Sequence, residues 1–286
     1  MKNNLLLIAA LFSSTLLFAQ DGEFNLDESY AMNLSGTIVL KTSDADITIS
    51  GSDRTDVRVK VMRKITTKGW TMGTQEFAVE VEERGGNLEI IERSSGSHIS
   101  FVGYMSETYK IDIEAPRGVN LDLDGDDDDY FISNIDGSIV LDLDDGDADF
   151  KNCNGRDFSF DLDDGDIRMD KAAGRLSVRM DDGDLEIDNA AFSRIDATVN
   201  DGDIKLATTL DDDGDYYIRG DDAGIYIVTL GGGGRFDIRH DDSRVSSSND
   251  FEIIREKEEE TVLELAGGNA KFSIRADDSS IRFTKE

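Results

Sequence analysis

Residues 141–147 read Leu-Asp-Leu-Asp-Asp-Gly-Asp. The phrase returns as Phe-Asp-Leu-Asp-Asp-Gly-Asp at 160–166, Val-Arg-Met-Asp-Asp-Gly-Asp at 178–184 and Ala-Thr-Val-Asn-Asp-Gly-Asp at 197–203. One Asp anchors each copy, and nine such anchors run along the chain: Asp44, Asp127, Asp145, Asp164, Asp182, Asp201, Asp222, Asp242 and Asp278. From Asp127 to Asp242 the steps are 18, 19, 18, 19, 21 and 20 residues. The step to Asp278 is 36, close to two intervals, and predicts one degenerate copy in between. A fixed period of about 20 residues marks stacked supersecondary units that bury their apolar faces only against their neighbours.

Inside each copy the apolar residues alternate with period two, which is strand periodicity. Phe158, Phe160 and Leu162 share one face, Ser159 and Asp161 the other, and Ile167 and Met169 resume the inward face after the turn. The residue three after each anchor is Ile47, Tyr130, Ala148, Ile167, Leu185, Ile204, Ile225, Val245 and Ile281, an almost unbroken apolar column. The expected fold is all-β: a β-solenoid of 18–21 residues per coil, with two short strands and two turns in each. Val57–Pro116 lacks the short repeat, and its longer strands at 57–61, 77–81, 88–91 and 109–113 predict hairpins covering the N-terminal end. Trp70, Phe101 and Tyr104 are expected in the loops between them. The boundaries read as 1–19 signal peptide, 20–120 N-terminal β section and 121–286 acidic repeats.

Lys2, the apolar run Leu5–Leu17 and Ala19 before Gln-Asp-Gly-Glu have the form of a secretory signal, too short for a membrane span. No later segment is apolar enough to cross a bilayer. Export to the periplasm, the cell surface or the medium follows. The single Cys153 allows no internal disulfide and reads as a structural residue, with no basic pair beside it to activate the thiol. The formal charge is −32, and residues 121–215 hold 30 acidic and 8 basic side chains. Nucleic acid and anionic membranes are therefore disfavoured partners.

The order of segments resembles the DUF4097 group of exported bacterial β-strand-repeat proteins, to which an adhesive role is ascribed. The matching parts are Leu-Ser-Gly-Thr-Ile-Val-Leu-Lys-Thr-Ser-Asp-Ala-Asp-Ile at 34–47 and Tyr-Lys-Ile-Asp-Ile-Glu-Ala-Pro-Arg-Gly-Val at 109–119, followed by the Asp-Gly-Asp-Ile repeats at 164–167 and 201–204. The resemblance implies a β-helix-like architecture. This chain departs from the pattern by placing Asp where Ser, Thr or Gly is common in the turns.

Stacked copies bring equivalent Asp residues to ~4.8 Å, where two unit charges repel by ~0.9 kcal/mol in water. Three readings offset that cost. An anchor Asp accepts hydrogen bonds from backbone N–H groups two residues on. Alternatively, Ca²⁺ is held by Asp144, Asp145, Asp147, Asp163, Asp164, Asp166, Asp181, Asp182 and Asp184, since hard cations take six to eight oxygens in flexible geometry. The third reading is a solvated face with diffuse counterions. Arg179, Arg219, Arg239 and Arg275 stand two before the turn and can pair with carboxylates, whereas Asp142 and Asp161 fill that place earlier. Asn120, Asp122, Asp124 and Gly125 imitate an EF-hand start, but Phe131 occupies the position that needs Glu.

His98 and His240 are the only histidines, and no catalytic triad, zinc spacing or phosphate loop is present; Gly231–Gly234 reads as a flexible turn. The function expected is that of an exported, non-enzymatic, structural or adhesin-like solenoid. It displays an Asp-rich face to Ca²⁺, a cationic surface or another cell-envelope or extracellular partner. The alternative is a carbohydrate-active β-helix enzyme, a lyase or glycosidase of the cell envelope.

Overall fold

The structure, a computed structural model, describes residues 23–72, 75–96 and 100–286. The signal-like segment 1–19 and His98 lie outside the described residues. The chain opens with β1 (Glu23–Ala31), then makes one coil from β2 (Thr37–Thr42) in a front sheet and β3 (Asp46–Ser52) in a back sheet. Four longer strands follow: β4 (Asp56–Met72), β5 (Gln75–Arg84), β6 (Asn87–Gly96) and β7 (Ser100–Pro116). The repeats pair front with back as β8 (Asn120–Asp127) and β9 (Asp129–Ser133), β10 (Ile139–Asp145) and β11 (Ala148–Lys151), and β12 (Asp157–Asp164) and β13 (Ile167–Asp170). Next come β14 (Ala173–Asp182), then β15 (Leu185–Asp201), which turns from the back sheet into the front, and β16 (Ile204–Thr209). The C-terminal part holds β17 (Asp215–Asp221), β18 (Gly224–Gly231), β19 (Gly234–Asp241), β20 (Arg244–Ser247), β21 (Phe251–Lys257), β22 (Glu260–Leu265), β23 (Ala270–Asp277) and β24 (Ser280–Lys285). Among the described residues no helix is long and apolar enough to cross a membrane.

Coils stack in parallel and in register, as the repeat demands. Leu143 faces Leu162, Leu162 faces Met180 and Met180 faces Val199, all buried between the sheets. The back sheet contributes Ile47, Tyr130, Ala148, Ile167, Leu185, Ile204, Ile225 and Ile281 in a second buried column. Each fully buried aliphatic side chain stabilises the fold by about 1.5–3 kcal/mol, so the core is a long, thin sum of such terms. Aromatic residues fill it near the C-terminal end, where Phe272 stacks on Tyr216 at 4.4 Å and on Phe236 at 4.5 Å.

Stacking order is not sequence order, and here the structure corrects the expected degenerate copy between Asp242 and Asp278. That interval is an antiparallel hairpin, β21–β22, which pairs with the edge of β19. The chain then lays β23 and β24 between β17/β18 and β19/β20. The step from β18 to β19 thus skips one strand spacing, through Gly231–Gly234. There a Cβ on Gly233 would meet the Leu265 carbonyl at 2.4 Å, so this run is a packed crossing and not simply a flexible turn. The N-terminal end has the same form: β6 and β7 flank β2 and β3 on one side, and β8 and β9 return to the other. Antiparallel β4–β7, β1–β4 and β5–β6 pairs close that end. Trp70, Phe101 and Tyr104 belong to the paired strands β4 and β7, not to loops.

Candidate functional site: the aspartate edge

Each coil passes from front to back sheet at a short corner, two residues long in most coils, and the repeated acids surround it. In four coils Gly146, Gly165, Gly183 and Gly202 make the corner with φ between +118° and +142°, a region that disfavours any Cβ. Three of these amides donate to the residue before the corner of the next coil: Gly146 N–H to the Asp164 carbonyl, Gly165 N–H to that of Asp182 and Gly183 N–H to that of Asp201.

Three acidic columns run along this edge with different roles. The column after the corner carries a ladder. Asp129 Oδ1 accepts from Asp147 N–H at 3.1 Å, Asp147 from Asp166 N–H at 3.0 Å, Asp166 from Asp184 N–H at 2.9 Å, and Asp184 from Asp203 N–H at 2.8 Å. The turn hydrogen bonding expected of the anchor Asp therefore belongs to this third column, and it links coils instead of closing a turn on itself. A strand-stacked fold offers the N–H of the neighbouring coil within reach, while the anchor side chain points to solvent.

Anchors Asp127, Asp145, Asp164, Asp182 and Asp201 stand directly opposite one another on successive strands and are exposed. The Asp145 carboxyl is held above the usual range, first by desolvation and then by its neighbours Asp127 and Asp164. Asp144, Asp163 and Asp181, one residue earlier, are exposed too. On the flat of the front sheet, Asp142 is also raised, by desolvation and then by Asp161 and Asp124. In both, desolvation is the larger cause and the like-charge neighbours add to it.

Compensation comes partly from a cation the sequence reading did not assign. Arg168, on the back sheet, reaches the ladder and pairs with Asp166 at 2.5 Å and Asp147 at 3.1 Å. Of the front-sheet arginines, Arg179 lies 3.7 Å from Asp161 and Arg219 lies 2.9 Å from Asp221, whereas Arg239 and Arg275 make no ion pair among the described residues. Lys41 pairs with Asp124. Of the nine candidate Ca²⁺ ligands, Asp147, Asp166 and Asp184 are engaged in the ladder. Asp144, Asp145, Asp163, Asp164 and Asp182 present exposed carboxylates, whereas Asp181, also exposed, accepts from Asn200 Nδ2–H at 2.8 Å. Among the described residues no group of three or more acidic, His or Cys side chains already stands in metal-holding geometry. The EF-hand-like stretch 120–125 lies within strand β8, so its acids sit in an extended segment, not a loop.

One polar site was missed from sequence. Where four coils have Gly at the corner, coil β8/β9 has Asp128, and its carboxylate turns inward with 0% exposure. It accepts from Thr42 Oγ1–H at 2.7 Å and Ala45 N–H at 2.6 Å. Burial outweighs these bonds and pushes its pKa up to about 6. Gly125 supplies the room, since a Cβ there would lie 2.4 Å from Asp128 Oδ2. Glu92 is likewise raised, chiefly by burial, and accepts from Ser43 Oγ–H at 3.1 Å. The signal was the unbroken Asp126–Asp129 run, which lacks the corner glycine. Full burial denies Asp128 to any substrate. His240 closes an inward column: its Nε2 lies 3.0 Å from Thr261 Oγ1, and its Nδ1 is buried without a hydrogen-bond partner among the described residues. Cys153 is buried, and burial pushes its thiol up, as befits an inert packing residue.

A family model described as Toastrack DUF4097 matches residues 36–284. A solved structure from Bacteroides fragilis, described as a "putative adhesin", aligns over 91% of this chain and 97% of its own at 11% identity, with a TM-score of 0.51. One from Parabacteroides distasonis with the same description aligns over 95% and 97% at 8% identity, with a TM-score of 0.45. No curated protein matches the chain. The Bacteroides fragilis likeness bears on fold alone.

Proposed function

The chain belongs to the Toastrack DUF4097 family, and on that premise we propose that it is an exported, non-enzymatic, adhesin-like module whose aspartate edge engages a cationic partner, with Ca²⁺ as the simplest one. The observation that supports this most is the anchor column. Asp145, Asp164 and Asp182 lie in register on adjacent strands, exposed and without a protein cation among the described residues. Such a column holds unrelieved repulsion, and a bound cation relieves it. Repetition also favours display over catalysis, because a glycosidase needs one distinctive carboxyl pair, whereas these acids recur coil after coil.

The test is calorimetric titration of the chelated protein with Ca²⁺, combined with thermal melts. A ligand that prefers the folded state raises stability by mass action, and Na⁺ at matched ionic strength accounts for screening alone. Ca²⁺ is expected to raise Tm beyond the Na⁺ control, and Asp145→Asn, Asp164→Asn and Asp182→Asn together remove that excess. Identical melts of chelated and Ca²⁺-loaded protein would leave only a solvated face. Release of products from neutral or acidic polysaccharides would favour the enzyme instead.

A further inference from the structure

At the other end of the same front sheet the surface changes sign by columns. Arg219, Arg275 and Arg239 stand in register on β17, β23 and β19. Two residues on, Asp221, Asp277 and Asp241 form a parallel acidic row. The tip of the β21–β22 hairpin, from Lys257 to Glu260, rises beside them and walls a groove of about 1080 Å³ whose floor includes Ala276 and His240. A smaller cavity of about 450 Å³ adjoins it, shares Arg239, Arg275 and Glu260, and extends to Tyr217 and Ser273.

Several of these charges are already committed. Arg219 pairs with Asp221 at 2.9 Å, and Glu260 takes both Arg255 at 2.7 Å and Lys257 at 3.0 Å. Arg275 lies over the Tyr217 ring at 5.8 Å, and among the described residues neither it nor Arg239 makes an ion pair. Asp241, Asp277, Glu258 and Glu259 make none either among the described residues. The groove therefore presents two guanidinia without an ion pair and, one pleat repeat away, the carboxylates of Asp277 and Asp241, the latter accepting from Asp242 N–H at 3.1 Å. A pure anion meets the acidic row, and a pure cation meets the arginines. The complement is a segment carrying both charges.

Strand geometry fixes the spacing. Residues i and i+2 of a strand point to the same face about 6.6 Å apart, so the Arg and Asp rows are separated by that distance. An extended peptide has the same repeat. We propose that this groove is a binding site for an extended peptide segment carrying an acidic and a basic residue at positions i and i+2, the acid on Arg239 and Arg275 and the base on Asp241 and Asp277. The inference does not depend on the aspartate-edge reading, because the two sites share no residue and the Ca²⁺ titration decides only the first.

The probe is a pair of fluorescent, end-capped isomers of one composition, Thr-Glu-Thr-Lys-Thr-Thr and Thr-Glu-Lys-Thr-Thr-Thr, followed by anisotropy at low salt against the full chain. In the second isomer the charges fall on opposite faces of an extended strand. The first is expected to bind at least tenfold more tightly. Arg239→Gln with Arg275→Gln should abolish the preference, and so should Asp241→Asn with Asp277→Asn. All four side chains are exposed, so both variants should melt near the parent. Equal affinity of the isomers overturns the proposal, as does unchanged binding by either double variant. A response confined to an all-Lys peptide or to a neutral oligosaccharide also overturns it.

Discussion

The aspartate coils from β8 to β16 and the arginine coils β17/β18, β23/β24 and β19/β20 share one backbone plan and the acidic residues at the corner, and differ in the front-sheet columns that lead up to it. On the front sheet, the outward column that is Asp124, Asp142 and Asp161 in the first region becomes Arg219, Arg275 and Arg239 in the second. The inward column that is Leu143, Leu162, Met180 and Val199 becomes Gly220, Ala276 and His240. The corners differ too. Glycine takes the positive φ in the first region, whereas Asp222, Asp242 and Asp278 take it one residue earlier in the second, at +39° to +48°. Ala223 and Ser279 then fill the following slot, buried. The lesson is that a parallel stack constrains hydrogen-bond register and inward volume, and leaves the sign of the surface free. One solenoid can therefore carry two chemically opposite faces.

The comparison can be broken at the inward column first. Leu162→Ala removes a fully buried side chain between two coils and should cost about 2–5 kcal/mol, whereas Ala276→Gly at the same column in the arginine coils should cost about 1 kcal/mol or less. Urea melts giving equal midpoints and slopes for the two would show that the two columns carry the same load and would break the contrast.

The next largest effect concerns Asp128, which occupies the corner slot that glycine holds elsewhere. Its folded pKa of about 6 lies above its unfolded value, so the folded state binds the proton more tightly. That contribution is complete below about pH 4 and is lost as pH rises through about 6, a span worth on the order of 3 kcal/mol. Glu92 shifts in the same direction. Asp128→Asn keeps an acceptor for Ala45 N–H, and should be more stable than the parent at pH 8 but not at pH 4. Parallel stability–pH curves for parent and variant would refute the assignment.

A smaller effect sharpens the contrast between corners. Gly165 has φ +134°, and a Cβ there would lie 2.0 Å from the Gly146 carbonyl oxygen. Gly165→Ala should cost about 1–3 kcal/mol from backbone strain alone. Ala223→Gly, in the corner built the other way, should cost about 1 kcal/mol or less. Thermal melts of the two variants give the comparison, and a neutral Gly165→Ala would mean that the corners are interchangeable.

Much of the stack is legible in the chain itself. Period-two alternation placed Phe158, Phe160 and Leu162 inward, and the spacing of the anchors set the coil length, because both follow from local pleat and turn geometry. The acidic edge was visible as well, but not the division of labour within it. That Asp147 and Asp166 bond the next coil's amides, while Asp145 and Asp164 stay open, depends on which residue faces which N–H across the strand gap. Arg168 was missed as their partner because it belongs to the opposite sheet, three residues past Gly165, and reaches Asp147 only across the gap between coils.

The sequence by itself determined the coil: its length, its inward and outward sets, its corner chemistry and its charge. Only the tertiary structure decided which coil lies beside which. Every coil offers the same parallel edges and nearly the same apolar column on the back sheet, so Asp278 fits next to Asp222 as well as next to Asp242, and nothing local distinguishes the choices. The β21–β22 hairpin decides it by taking the free edge of β19, which leaves the β23/β24 coil only the gap between β17/β18 and β19/β20. The arginine row and its groove exist because of that insertion, which brings Arg275 between Arg219 and Arg239 from opposite sides of a chain excursion no periodicity records.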